Sequence, residues 1–336
     1  MRVFEVQTAF GLDNLRLSER PDPVPETGEV LIKVRACSLN YRDYLMVKGD
    51  YNPRQKLPLI PLSDGAGEIV AVGPGVSRVA VGDRVAGLFS QRWLGGEPNQ
   101  ERLRTTLGGP LDGMLAEYVV LPEHGVVPLP PDLPYEQGAT LPCAAVTAWS
   151  ALTKYRPLKA GDTVLLQGTG GVSLFALQFA KLFGAKVIIT SSSDDKLARA
   201  QALGADHTIN YRSNPDWHKT ARTLTGKTGV DHIVEVGGAD TFAKSLAAVR
   251  IGGFIAVIGV LGGQEAPLSV IPILMSSLTV QGITVGSRDD FEAMNKAIAQ
   301  HNLQPVIDRV FPFDDAPEAF RLMEQGGHFG KIVISF

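Results

Sequence analysis

The segment TVLLQGTGGVSLFALQFAK, residues 163–181, permits few folds, because it runs a buried strand through a glycine turn straight into a helix. Val164, Leu165 and Leu166 form an unbroken apolar run, the pattern of a parallel strand covered on both faces. Gly168, Gly170 and Gly171 let the chain turn tightly and bring bare backbone close to a ligand. The spacing of Val172, Phe175, Ala176 and Phe179 predicts a helix with one core-facing stripe. Its first N–H groups and positive dipole end suit the pyrophosphate of a dinucleotide, so Gly168, Thr169, Gly170, Gly171 and Val172 are cofactor-binding candidates. Ser173 stands at the third glycine position of G-x-G-x-x-G, which predicts slightly looser helix–strand packing than the full fingerprint gives.

The alternation continues downstream. KVIITS at 186–191, DHIVEV at 231–236 and GFIAVI at 253–258 read as strands, with helices at 193–203, near 214–225 and near 240–249. Units of this length favour a doubly wound parallel sheet with right-handed crossovers, and a ligand crevice beyond the carboxyl ends of its strands. The turns VGG at 236–238 and IGV at 258–260 fall there and bring in Gly237, Gly259 and Val260, with plain turn glycines as the equal alternative.

Residues before about 145 have a different texture. Short alternating segments at 30–37, 66–73 and 115–122, separated by Gly and Pro turns, predict an antiparallel, barrel-like domain. A chain of 336 residues exceeds the usual single-domain length. The expected division is 1–144 completed by 286–336, with 145–285 as the nucleotide domain. A helix at 289–301 and a closing strand KIVISF, with Ile332 and Ile334 alternating, would return to the first domain's sheet. SLTVQGITVG at 277–286 reads as the last strand of the nucleotide sheet, an apolar edge that predicts a homodimer. A net charge of −3 provides no basic surface for nucleic acid. Two cysteines outside any C-x-x-C pair fit a reducing compartment. No signal sequence or membrane-length apolar run is present, so a cytoplasmic protein with a small-molecule substrate is expected.

Taken together, SLNYRDYLMVKGDY at 38–51, PLSDGAGEIVAVG at 61–73, VGDRV at 81–85, DGMLAEYVV at 112–120, LPCAAVTAW at 141–149, the glycine turn and the closing GKIVISF resemble the medium-chain dehydrogenase/reductase superfamily over essentially the whole chain. The resemblance implies an α/β fold made of a GroES-like antiparallel β-barrel catalytic domain and a Rossmann domain. It also places Lys331 of the closing segment among the cofactor-binding residues.

Departures from the zinc alcohol dehydrogenases of that superfamily bear on mechanism. Asn40-Tyr41-Arg42-Asp43 stands where they carry Cys-x-[Ser/Thr]-Asp, and Leu62-Ser63-Asp64 where they carry Gly-His-Glu. Only Cys143 falls at a ligand position, and a segment at about 90–110 lacks the four cysteines of a structural site, so no metal is expected. Cys143 reads as a small buried residue rather than a nucleophile. The pattern is similar to the quinone oxidoreductase and enoyl reductase branches, which implies that Asn40 and Tyr51 contact substrate. Ser63, Asp64 and Cys143 are then pocket candidates, with Ser63 and Asp64 filling the emptied metal site. Ser191, Ser192 and Lys196, where NAD enzymes carry an acid, suit a 2′-phosphate, and Tyr211 matches a segment bordering the adenosine end in that branch. NADPH is the expected cofactor. Two alternatives stand beside the reductase: a zinc-binding alcohol or aldehyde dehydrogenase, and a non-catalytic NADPH-binding protein of the kind seen among lens crystallins.

Overall fold

The computed structural model describes residues 1–336. They divide into two compact units, Met1–Val146 with Gly286–Phe336, and Thr147–Val285.

In the second unit six parallel strands lie in the order His207–Asn210, Lys186–Ser191, Thr163–Gln167, Val230–Glu235, Val249–Val257, Thr279–Gly282. The direction of winding reverses between Thr163–Gln167 and Val230–Glu235, which puts the switch point of the sheet at the glycine turn. The Gly171–Leu182 helix is buried more widely than a single stripe: Leu174, Leu177 and Ala180 are enclosed as well as Phe175, Ala176 and Phe179, whereas Val172 is half-buried. Leu165, Ile188, Ile209, Trp217, Ile233 and Ile255 belong to the apolar core of this unit. The final strand is shorter than expected. It covers Thr279–Gly282 rather than 277–286, because positive φ at Ser277 and Val285 breaks the extended run on either side.

In the first unit a seven-stranded sheet runs Ile307–Pro312, Lys331–Ser335, Glu29–Leu39, Asp64–Val72, Arg84–Gly87, Val126–Pro128, with Tyr118–Pro122 also pairing Glu29–Leu39. It is antiparallel except where Ile307–Pro312 runs parallel to Lys331–Ser335. The C-terminal strand joins antiparallel to Glu29–Leu39, with Ile332 opposite Leu39 and Ile334 opposite Cys37. It does not alternate, since Lys331 and Val333 are buried along with Ile332 and Ile334. A strand enclosed on both sides is held by its neighbours on each face, and here one of its buried residues is a lysine. No helix of the chain is long and apolar enough to cross a membrane.

Candidate active site

At the end of Glu29–Leu39 the chain turns into the helix Tyr41–Lys48. Asn40 caps it, and Asp43 reaches back so that its Oδ2 accepts the Asn40 N–H at 2.9 Å. Asp43 is wholly buried and also accepts from the Ser63 N–H and from Arg42 Nη1, each at 3.2 Å. Burial pushes its carboxyl up, against the Arg42 charge and these donors. Arg42 and Asp43 therefore form a structural pair that ties the start of the helix to the Ser63 strand entry.

Next to this pair lies a polar cluster made from four distant parts of the chain. Lys331 Nζ donates to Leu39 O at 2.5 Å and to Asn40 Oδ1 at 2.6 Å. Asn40 Nδ2 faces Ser63 Oγ at 3.4 Å, and the Ser63 hydroxyl donates to Asp64 Oδ1 at 2.7 Å. The Cys143 N–H donates to Asp64 Oδ2 at 3.1 Å, from a π-helical turn over Leu141–Ala145. Burial pushes Asp64 up to about 6, with Lys331 pulling the other way. Burial lowers the Lys331 ammonium, and the Asp64 charge opposes that shift. The Cys143 thiol is pushed far up by burial and by Asp64. Cys143 is half-buried as a residue, and burial of its sulfur acts together with the Asp64 charge to hold the thiol protonated.

Lys331, a cofactor-binding candidate from the sequence, is thus brought together with Asn40. The closing GKIVISF strand enters the sheet beside Glu29–Leu39, which puts the lysine at the strand end nearest Asn40. Tyr51 follows the left-handed Gly49 that ends the Tyr41–Lys48 helix, and its N–H bonds to Leu45 O at 3.2 Å. Its ring is 54% exposed and lies 5.1 Å from the Arg42 guanidinium. That guanidinium is fixed by Leu107 O at 2.8 Å and Gly109 O at 2.9 Å, and Phe89 packs on it as well. Tyr51 and Asn40 are therefore anchored to the same helix start, through Arg42 and Asp43, with no direct bond between them.

This donor set does not fit a catalytic zinc, which takes three N, S or carboxylate ligands and an open position. Asn40 and Ser63 contribute an amide and a hydroxyl, the Cys143 thiolate is disfavoured, and an ammonium already occupies the Asn40 oxygen. No group of three His, Cys, Asp or Glu residues in the chain is arranged to hold a metal ion.

The glycine turn of the second unit does fit a nicotinamide dinucleotide. Gly168 has φ +71°, and a Cβ at Gly168 or Gly170 would project into open space. Gly170 caps the Gly171–Leu182 helix without any side-chain bond, which leaves the helix N–H groups free for an anion. Ser173 does more than stand in for a glycine: it is buried, and its hydroxyl donates to Gln167 O at 2.6 Å, tying the helix to the strand end.

Glu235, unremarked in the sequence, organises the neighbouring turn. It is wholly buried at the last position of its strand. Its Oε1 accepts from the Gly237 N–H at 2.9 Å, the Gly238 N–H at 3.0 Å and Thr241 Oγ1 at 2.5 Å. Its Oε2 accepts from Gln167 Nε2 at 2.7 Å and from the Ser245 hydroxyl. Gln167 Oε1 in turn accepts from the Val236 and Gly237 N–H groups at 3.2 and 3.1 Å. The Gly237 N–H is therefore committed to the turn itself. Gly259 is required by packing, since a Cβ there would lie 2.5 Å from Val236 O, while Val260 beside it is exposed.

At the end of Lys186–Ser191, Ser191 is buried and Ser192 half-buried, and the Tyr211 N–H donates to Ser191 O at 3.0 Å. Ser193 caps the Asp194–Ala202 helix by accepting from the Lys196 N–H at 3.4 Å. Asp194 accepts from Asn210 Nδ2 at 2.8 Å.

Comparison with known proteins agrees with both units. Residues 26–131 match the alcohol dehydrogenase GroES-like domain family, and residues 171–300 match the zinc-binding dehydrogenase family. A zinc-type alcohol dehydrogenase-like protein of Schizosaccharomyces pombe is 44% identical over 96% of each chain. A quinone oxidoreductase of Lama guanicoe is 30% identical over 99% of this chain and 97% of its own. A crystal structure of an NAD-dependent alcohol dehydrogenase superposes with a TM-score of 0.92 at 36% identity and covers 100% of both chains. With a parallel nucleotide sheet, a glycine turn that fits a dinucleotide and these relatives over its full length, the chain belongs to the medium-chain dehydrogenase/reductase superfamily and is an NAD(P)-dependent oxidoreductase.

Proposed function

We propose that this oxidoreductase uses NADPH, works without zinc, and delivers hydride to the electron-poor carbon of an activated carbonyl compound of the quinone, enone or enoyl type. A buried ammonium beside Asn40, amid an amide, a hydroxyl and a carboxylate, carries this reading, because such a set polarises a carbonyl by hydrogen bonds. When bound, the nicotinamide supplies the hydride. Asn40 donates to the substrate oxygen as electron density moves onto it, and Tyr51, held over Arg42, donates a hydrogen bond or a proton from the exposed side. Gly168 to Val172 and the helix N-terminus hold the pyrophosphate, and Ser191, Ser192, Lys196 and Tyr211 border the 2′-phosphate. Asp194, the carboxylate at the start of the adjacent helix, accepts from Asn210 through Oδ1, and it and Asp195 are the acids that would favour a ribose 2′-OH instead. The NAD-dependent structural relative argues for the other cofactor.

The second reading, a zinc-type alcohol dehydrogenase, is favoured by the name of the S. pombe relative. One experiment separates the readings: NADPH consumption against quinones, enones, enoyl thioesters and aldehydes, with metal analysis after dialysis against a chelator. The proposal expects turnover on an activated carbonyl and no stoichiometric zinc. About one zinc per chain with alcohol oxidation replaces it by the second reading. NADPH binding without turnover on any class points to the crystallin-like alternative. We further propose a homodimer through the open edge of Thr279–Gly282, beside which Val270, Ile271, Leu274 and Met275 are exposed.

A further inference from the structure

We propose that Lys331 is a positioning residue for carbonyl polarisation: its ammonium fixes which way round the Asn40 amide stands and strengthens Asn40 Nδ2–H as the donor offered to substrate. The inference rests on the proposed role of Asn40.

An asparagine amide fits most sites either way round. Here the choice is forced. An ammonium has only donors, so the Asn40 atom 2.6 Å from Lys331 Nζ is Oδ1. Nδ2 then faces Ser63 Oγ, and the Ser63 hydrogen passes on to Asp64, which also takes the Cys143 N–H. The polarity of the whole chain of bonds is set by a donor-only cation at one end and an acceptor-only carboxylate at the other. Bonds in such a chain polarise one another. Drawing electron density towards Oδ1 makes each Nδ2–H a better donor. Both acceptors of Lys331 are neutral oxygens, Leu39 O and Asn40 Oδ1, so no carboxylate in direct contact cancels its charge. The 3.4 Å contact from Nδ2 to Ser63 is the longest in the chain and lies beyond the usual hydrogen-bond range, so a carbonyl oxygen replaces it at the least cost. The pairing of Ile332 with Leu39 holds the lysine and the asparagine in register although they are far apart in sequence.

The test is a double-mutant cycle read by single-turnover hydride transfer at saturating NADPH, with the best quinone or enone from the screen. Lys331→Met removes donor and charge, whereas Lys331→Gln keeps an N–H for Oδ1 and removes only the charge. Lys331→Met should slow transfer about tenfold or more, with Lys331→Gln between it and the parent; saturating NADPH keeps any change in cofactor affinity out of the comparison. In an Asn40→Ala background, Lys331→Met should cost less than about threefold further, because the residue it acts through is gone. A packing role would cost the same in either background. Should Lys331→Met fail to fold because Asp64 is left uncompensated, the neutral pair Lys331→Met with Asp64→Asn takes its place in the cycle. Parent rates in Lys331→Met, or equal losses in both backgrounds, overturn the role of Lys331 and leave the proposed function standing. Parent rates in Asn40→Ala instead remove Asn40 from the mechanism, and the role of Lys331 with it.

Discussion

Replacing Glu235 by glutamine changes one atom in a buried network whose donors and acceptors are all assigned. The amide oxygen of the new side chain can serve the Gly237 and Gly238 N–H groups and Thr241, which now meet Glu235 Oε1. Its NH2 then takes the place of Oε2. Ser245 Oγ, which already accepts from Gln167 Nε2 at 2.8 Å, can accept a second bond once its hydrogen turns away, but Gln167 Nε2, 2.7 Å from the replaced oxygen, cannot accept. Nor can Gln167 flip, since its own oxygen is held by two backbone N–H groups. Both charge-assisted bonds to Oε2 are lost and the Gln167 N–H that met it is left buried and unsatisfied, a destabilisation of about 3 kcal/mol or more. Denaturant unfolding of Glu235→Gln against the parent measures it. The reciprocal swap, Gln167→Glu with Glu235→Gln, restores a donor opposite an acceptor and should recover at least half of the loss. Gln167→Glu alone, with two carboxylates face to face, should be the least stable of the three. A swap as unstable as the sum of the single variants would refute the donor–acceptor reasoning.

Other outcomes follow from the two sites. Asp64, raised from 3.8 to about 6 by burial, holds its proton more tightly folded than unfolded, so its contribution to stability is fully present below about pH 3.8 and is lost as pH rises through about 6. The stability difference between the parent and Asp64→Asn should therefore shift by ~2 kcal/mol against the parent between pH 4 and 7, and a flat difference contradicts the shift. Tyr51→Phe should lower turnover about 10²-fold with NADPH affinity unchanged, and near-parent turnover removes the phenol from the mechanism. NADPH should bind more tightly than NADH, with Lys196→Ala losing about 1 kcal/mol of that preference; equal affinities in the parent count against it. Light scattering at micromolar concentration should report a dimer, and a monomer there removes the edge-strand interface.

Much of the nucleotide unit was legible because its signals are local. The Lys186–Ser191 strand and the glycine turn announce themselves by apolar runs and glycine spacing over a few residues. The limits of Thr279–Gly282 were not, since positive φ at Ser277 and Val285 carries no sequence mark in residues that are not glycine. In the catalytic unit the sequence named Asn40, Ser63, Asp64 and Cys143 one by one. It could not show that Lys331 joins them, because that contact depends on which strand the C-terminal segment pairs with and in which register. Glu235 escaped for a related reason: a carboxylate ending an apolar strand looks like a surface residue until the donors around it are in place.

The electrostatics around Cys143 have one more consequence, for the survival of the protein. Quinones and enones are soft electrophiles that alkylate cysteine through its thiolate, and an enzyme that gathers them beside a thiol invites its own inactivation. Here the thiol lies on a partly open π-helical turn, yet burial of its sulfur and the carboxylate of Asp64 suppress the thiolate. Cys37, the other thiol, is enclosed, donates to Met114 O at 2.9 Å, and is likewise pushed up by its burial. The acid that orders the polar cluster thereby also protects the neighbouring sulfur from the compounds we propose the site handles.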